Sequence, residues 1–210
     1  MRIHDTYLKT MVETRDMDRL VFFSDAVFAI AMTLLIVELR IPDVPGAELG
    51  PALTALIPGY LTFVLSFVVV GIAWMSHHRK FRVIIRQDRN LPRINLLLLL
   101  FVATVPLPTG ILGSYGDTVP AVCLYAATIS ALGFSLTLIW VHSRRRGLID
   151  EALPEVVYRY VLVQSLPVPT VFAFSIPLAL LAGATAAEIA WAASFLFAVV
   201  VRLTYGRRQV

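Results

Sequence analysis

Six apolar stretches, each long enough to cross a bilayer as a helix, dominate this chain of 210 residues. They occupy residues 19–41, 53–76, 91–112, 119–142, 156–181 and 186–205. About 20 mostly apolar residues suffice to span the hydrocarbon core. The expected fold class is therefore an all-α membrane protein with six transmembrane helices per chain. Composition agrees: 58% of residues are hydrophobic and 15% are charged, against about 25% charged in an average soluble domain. A soluble protein this apolar would lack the polar surface to stay dispersed. The fifth stretch is the least regular, because Pro167, Pro169 and Pro177 interrupt it. A kink is expected there, with neighbouring groups satisfying the freed carbonyls.

Charge placement sets the orientation. The chain has 18 Lys and Arg. They fall in the N-terminal segment (Arg2, Lys9, Arg15, Arg19), between the second and third spans (Arg79, Lys80, Arg82, Arg86, Arg89, Arg93), between the fourth and fifth (Arg144, Arg145, Arg146, Arg159), and near the C-terminus (Arg202, Arg207, Arg208). Only Arg40 lies on the other side, where Asp43, Glu48, Asp117 and Glu188 are found. By the positive-inside rule both termini are cytoplasmic, which an even number of spans requires. The expected organisation is a cytoplasmic N-terminal segment over residues 1–18, a six-helix membrane domain over 19–205 and a cytoplasmic tail over 206–210. The net charge of +4 is then a matter of topology and of the anionic inner lipid surface, not of nucleic acid. No cleavable signal is read at the N-terminus, which lacks an apolar h-region. The single cysteine, Cys123, excludes an intrachain disulfide and a multi-cysteine zinc site.

Polar residues inside the spans carry the most information, because burying them unpaired in hydrocarbon costs several kcal/mol. The first span has the densest set: Arg19, Ser24, Asp25, Thr33 and Glu38. A carboxylate at the centre of a membrane helix costs roughly 2.5–3.5 kcal/mol, so Asp25 should face protein or water. It is either an ion or proton site or a structural hydrogen-bond anchor, and the second reading is favoured. Trp74, His77, His78 and Asn95 fall at a similar depth and offer donors for a carboxylate. A metal site at Asp25, His77 and His78 is disfavoured, since adjacent helix positions point about 100° apart.

Farther along the first span, Ile30, Thr33, Leu34 and Val37 share one helical face. Periodicity alone favours ordinary packing, with the Thr33 hydroxyl bonding its own backbone. The other reading is a pore wall of apolar rings flanking a hydroxyl ring, where apolar constrictions gate by dewetting. No TVGYG-type filter is present. Neither a voltage-sensing arginine helix, a Walker motif nor a dinucleotide fingerprint occurs, and no nucleophile has a base at matching depth. An enzyme is not expected.

The run from Arg19 through Phe23-Ser24-Asp25 to Thr33, followed by Trp74-Met75-Ser76-His77-His78 and by Asn95 before LLLLLFVATVPLPT, resembles the signature of the transmembrane protein 175 family. The resemblance is close over the first three spans and extends to the last three in character and order only. It implies a potassium-permeable channel without a carbonyl filter, not an enzyme. Single-repeat members are prokaryotic homotetramers, so a cell-membrane location is implied, with the pore lined by the first helix. Ile30, Leu34 and Val37 map onto the apolar constriction and gate, and Thr33 onto the layer that favours potassium over sodium. Arg19, Phe23, Ser24, Asp25, Trp74, His77 and Asn95 map onto a structural polar network. The implied partners are potassium ions, further copies of the chain and membrane lipids, with no cofactor and no metal. On this resemblance the stripe reads as a pore wall. A proton-coupled secondary transporter or a proton leak, using Asp25 and His77, is the alternative; the lack of paired broken helices in related halves counts against a transporter.

Overall fold

The computed structural model describes residues 3–39 and 43–193, with side chains from Asp16 onward. Every regular element among them is helical. In order they are α1 (Ile3–Leu34), a 3-10 turn (Leu35–Glu38), a second 3-10 turn (Gly46–Glu48), α2 (Leu49–Ala55), α3 (Ile57–Phe81), α4 (Leu91–Thr104), α5 (Pro106–Tyr115), α6 (Val119–Arg145), α7 (Glu155–Ser165) and α8 (Pro167–Ala182). Residues 184–193 continue as helix.

Five of the six expected spans are present as helices or helix pairs long and apolar enough to cross a membrane: Asp16–Glu38, Ile57–Phe81, Leu91–Tyr115, Val119–Arg145 and Glu155–Ala182. The chain is a multi-pass membrane protein. The sixth expected span, 186–205, lies mostly outside the described residues, as do the tail 206–210 and Arg40. The first helix does not begin at residue 19. It starts at Ile3 and runs through the segment read from sequence as a separate N-terminal piece, where Leu, Lys, Met, Glu and Arg all favour helix.

Prolines shape two spans. The third divides at Val105, because Pro106 offers no N–H to continue the α4 ladder. The Val105 N–H instead closes a tighter turn onto the Val102 carbonyl at 3.2 Å. This break was not anticipated from sequence. The fifth divides at Leu166, ahead of Pro167, where the interrupting prolines placed the irregularity; Pro177 is accommodated inside α8. Gly183 then turns the chain at φ +91, a conformation that side chains with a Cβ rarely adopt.

The core forms around α6. Of its membrane-spanning window 61% is buried, against 22% for the first helix. Trp140, Tyr125, Ile129 and Ile139 are each at most 1% exposed. α8 comes against α6 where Gly133 leaves room for a proline ring; a Cβ on Gly133 would lie 2.8 Å from Pro169 Cβ.

At one end the connections clasp each other. Ile84 and Ile149 form an antiparallel bridge, with Ile85 N–H donating to Leu148 C=O at 2.9 Å and Asp150 N–H to Val83 C=O at 2.9 Å. Asp88 organises this end. Its Oδ1 accepts from the backbone N–H of Leu91 at 2.8 Å and of Asn90 at 3.1 Å, capping α4. Its carboxylate also meets His142 Nε2 at 3.0 Å. Partial burial pushes the Asp88 carboxyl up, but the His142 bond and the two backbone N–H groups outweigh it and hold the group below the usual carboxylate range. A folded-state pKa below the unfolded value stabilises the fold above the unfolded value and is lost as pH falls through the folded one. Asp88→Ala is therefore expected to cost about 0.5–2 kcal/mol at neutral pH. In thermal unfolding in detergent, the gap to wild type should close as pH drops below about 4.

Candidate functional site

The first helix presents two opposed faces. Ser24, Phe28, Ala31 and Leu35 follow one another at spacings of three and four and are at most 2% exposed. They pack inward toward α3 and α4. The other face carries Ile30, Leu34 and Val37, which are 58%, 46% and 68% exposed, together with exposed Thr33. No segment of the chain covers that stripe among the described residues. The Thr33 hydroxyl donates to the Ile30 carbonyl at 2.8 Å, the local bond that its spacing suggested. With its proton committed to the helix, the oxygen lone pairs are left to face outward.

The inward face is anchored by a chain of hydrogen bonds through groups with no solvent access. Asn95 on α4 donates from Nδ2 to Ser24 Oγ at 2.8 Å. Ser24 donates in turn to the Leu20 carbonyl at 2.8 Å. On its other side, Asn95 Oδ1 lies 2.9 Å from His77 Nε2. An amide oxygen only accepts, so the imidazole carries its proton on Nε2, and His77 Nδ1 is buried without a partner. The ring is stacked on Phe81 at 4.2 Å and tilted against Phe28 at 5.6 Å. Ser24, His77 and Asn95 thus tie α1, α3 and α4 at one level.

Asp25 takes a separate route. Its Oδ1 accepts from Trp74 Nε1 at 2.8 Å, and the Trp74 ring lies 5.8 Å from His78. The seven residues read from sequence as one network therefore divide into a buried Ser24–Asn95–His77 chain and a half-exposed Trp74–Asp25 pair. Arg19 and Phe23 are exposed, and among the described residues neither joins them. His77 is buried and its neighbour His78 exposed, so the two imidazoles face different surroundings. Among the described residues no three His, Cys, Asp or Glu converge as metal ligands.

Two features escaped the sequence reading. Ser66, Thr109 and Tyr125 form a buried hydroxyl cluster: Thr109 Oγ1 to Ser66 Oγ is 2.8 Å and Ser66 Oγ to Tyr125 Oη is 3.0 Å. Hydroxyl residues inside apolar spans were the only available signal, and they do not reveal which ones meet. Lys80, assigned by its charge to a loop, lies in the last turn of α3 at 2% exposure. Its Nζ reaches the Leu136 carbonyl at 3.3 Å.

Comparison with known proteins places this arrangement. The family profile described as Endosomal/lysosomal potassium channel TMEM175 matches residues 19–106, which contain the stripe and both parts of the polar anchor. A protein named as a potassium channel in Streptomyces collinus is 42% identical over 131 residues, 60% of this chain and 63% of that one. Another so named, in Chamaesiphon minutus, is 36% identical over 137 residues, 62% of this chain and 68% of that one. The alignments thus span about two thirds of the length of these relatives. In three dimensions the chain is similar to a crystal structure described as a lysosomal potassium-selective channel TMEM175 homolog from Chamaesiphon minutus, with a TM-score of 0.74 and 28% identity over 88% of this chain and 97% of that one. Family profile, relatives and fold agree over the helices that carry the stripe and its anchor, and the chain belongs to the TMEM175 family.

Proposed function

We propose that this chain is one subunit of a potassium-permeable channel. Four copies bring the exposed stripe of α1 together around a shared axis in a cell membrane, with both termini on the cytoplasmic side. The observation that carries this reading is the division of the first helix. One face is locked to α3 and α4 by Asn95 and His77. The other holds an apolar–hydroxyl–apolar sequence that nothing in the described chain covers. The names of the two bacterial relatives support the choice of potassium.

In this arrangement Ile30 forms the narrowest apolar ring, with Leu34 and Val37 continuing the constriction outward. Closure requires only that the ring be too narrow and too apolar to hold water. Opening widens it. The Thr33 oxygens then replace part of the hydration shell of a passing cation. Potassium passes more easily than sodium because its shell is held less tightly, and a single hydroxyl layer gives modest selectivity. The Asn95 chain and the Trp74–Asp25 pair hold the helix at the azimuth that points the stripe inward. Potassium is the permeant ion, and no resident cofactor takes part.

Flux from proteoliposomes tests the reading. Ile30→Asn should raise potassium flux or make it constitutive, because a polar ring stays wet. Thr33→Ala should shift the reversal potential between potassium and sodium gradients toward equal permeability. Chloride passing as readily as potassium would contradict the assignment. Saturable flux that requires a proton gradient would favour a transporter working through Asp25 and His77. The anchor gives a second expectation. Asn95→Leu leaves Ser24 and His77 without their shared partner and is expected to cost about 1–3 kcal/mol of stability. A thermal shift in detergent measures it.

A further inference from the structure

The outer end of the first helix rests on bare glycine backbone. After Leu34 the winding tightens into the 3-10 turn Leu35–Glu38, and Leu39 then leaves in an extended conformation at φ −80 and ψ 96. Glu38 is directed onto α5. A Cβ built on Gly110 would collide with Glu38 Oε2, and it would lie 3.2 Å from Glu38 Cδ and 3.3 Å from Glu38 Cβ. Leu39 does the same on α3, where a Cβ on Gly59 would lie 3.2 Å from its Cδ2. A Cβ on Gly113 would lie 3.2 Å from Gly59 Cα, so α3 and α5 meet almost backbone to backbone beneath the turn.

Glu38 makes no hydrogen bond or ion pair among the described residues, so its seat is one of shape. A cavity of about 420 Å3, lined in part by Leu35, Glu38, Phe63, Ser114 and Tyr115, opens beside it. A displaced carboxylate can swing into that space. The β-carbon cannot, because it moves only with the backbone of the turn. Filling the glycine therefore shifts the turn itself, by a few tenths of an ångström. The neighbouring Val37, 68% exposed on the other side, moves with it.

We propose that Glu38 is a positioning residue for conduction: seated on Gly110, it holds the outer turn withdrawn against α5 and so sets the width of the pathway at Val37. This rests on the pore reading above. It predicts that Gly110→Ala narrows the outer end, lowering the unitary potassium conductance about twofold or more in planar bilayers. Adding Glu38→Gly to that variant removes the β-carbon along with the rest of the side chain and should restore at least half of the loss. Adding Glu38→Gln keeps the bulk, removes the charge and should restore nothing. Gly46→Ala, whose new methyl meets nothing within 4 Å, controls for the glycine change itself.

Recovery with glutamine as complete as with glycine would make the effect electrostatic and overturn the proposal. So would a Gly110→Ala channel of wild-type conductance, provided that Ile30→Asn still raises flux. If Ile30→Asn has no effect, the pore reading itself fails, and this inference with it. Should Gly110→Ala not assemble, Gly59→Ala presses on Leu39 of the same turn and is expected to lower conductance in the same direction; an assembled Gly59→Ala channel of unchanged conductance would then count against the seat.

Discussion

Asn95 is the group on which the arrangement of the first helix depends. It spends its amide on two neighbours at once, donating to Ser24 on α1 and accepting from His77 on α3. In hydrocarbon no water waits to replace either bond. Lipid tails are as apolar as leucine, so apolar packing alone fixes the rotation of a membrane helix only weakly, and a directional bond between helices does what hydrophobic burial does in water. Once Ser24 is held, the 3.6-residue period carries Phe28, Ala31 and Leu35 inward. It necessarily turns Ile30, Leu34 and Val37 outward. The exposed stripe follows from the anchor by geometry.

Around this, the remaining helices divide their tasks. α6 is the scaffold, buried along most of its length. The proline breaks at Val105 and Leu166 divide two of the spans beside it into shorter helices. Each break leaves carbonyls without their helical donors. A hydroxyl sits beside the second: Thr137 Oγ1 reaches the Ser165 carbonyl at 3.4 Å. The hydroxyl cluster of Ser66, Thr109 and Tyr125 fastens α5 to α3 and α6.

Much of this was legible in the sequence, because membrane crossing leaves a strong one-dimensional signal. Span positions came from hydropathy, and the Ile30–Val37 stripe of α1 from residue spacing; the opposite, inward face did not. Ser24, Asp25, His77 and Asn95 stood out because polar groups are conspicuous among leucines and valines. What stayed hidden depends on three-dimensional proximity. Spacing alone does not tell which donor a carboxylate takes, and Asp25 took Trp74 while Asn95 took Ser24. Lys80 misled because a charge beside other charges reads as loop, whereas its long apolar stem lets it lie along α6 with the amine on a backbone carbonyl. Pro106 carries no sequence sign of a break, because membrane helices often absorb a proline without breaking.

The Ile84–Ile149 bridge and the Asp88 contacts fasten two hairpin connections together at one end of the bundle. The opposite end has no such clasp among the described residues; there the first helix runs out into a proline- and glycine-rich connection. That end is held instead by close glycine contacts between α3, α5 and the outer turn. Hydrogen bonds between the two connections resist their separation, whereas glycine contacts between helices resist only closer approach.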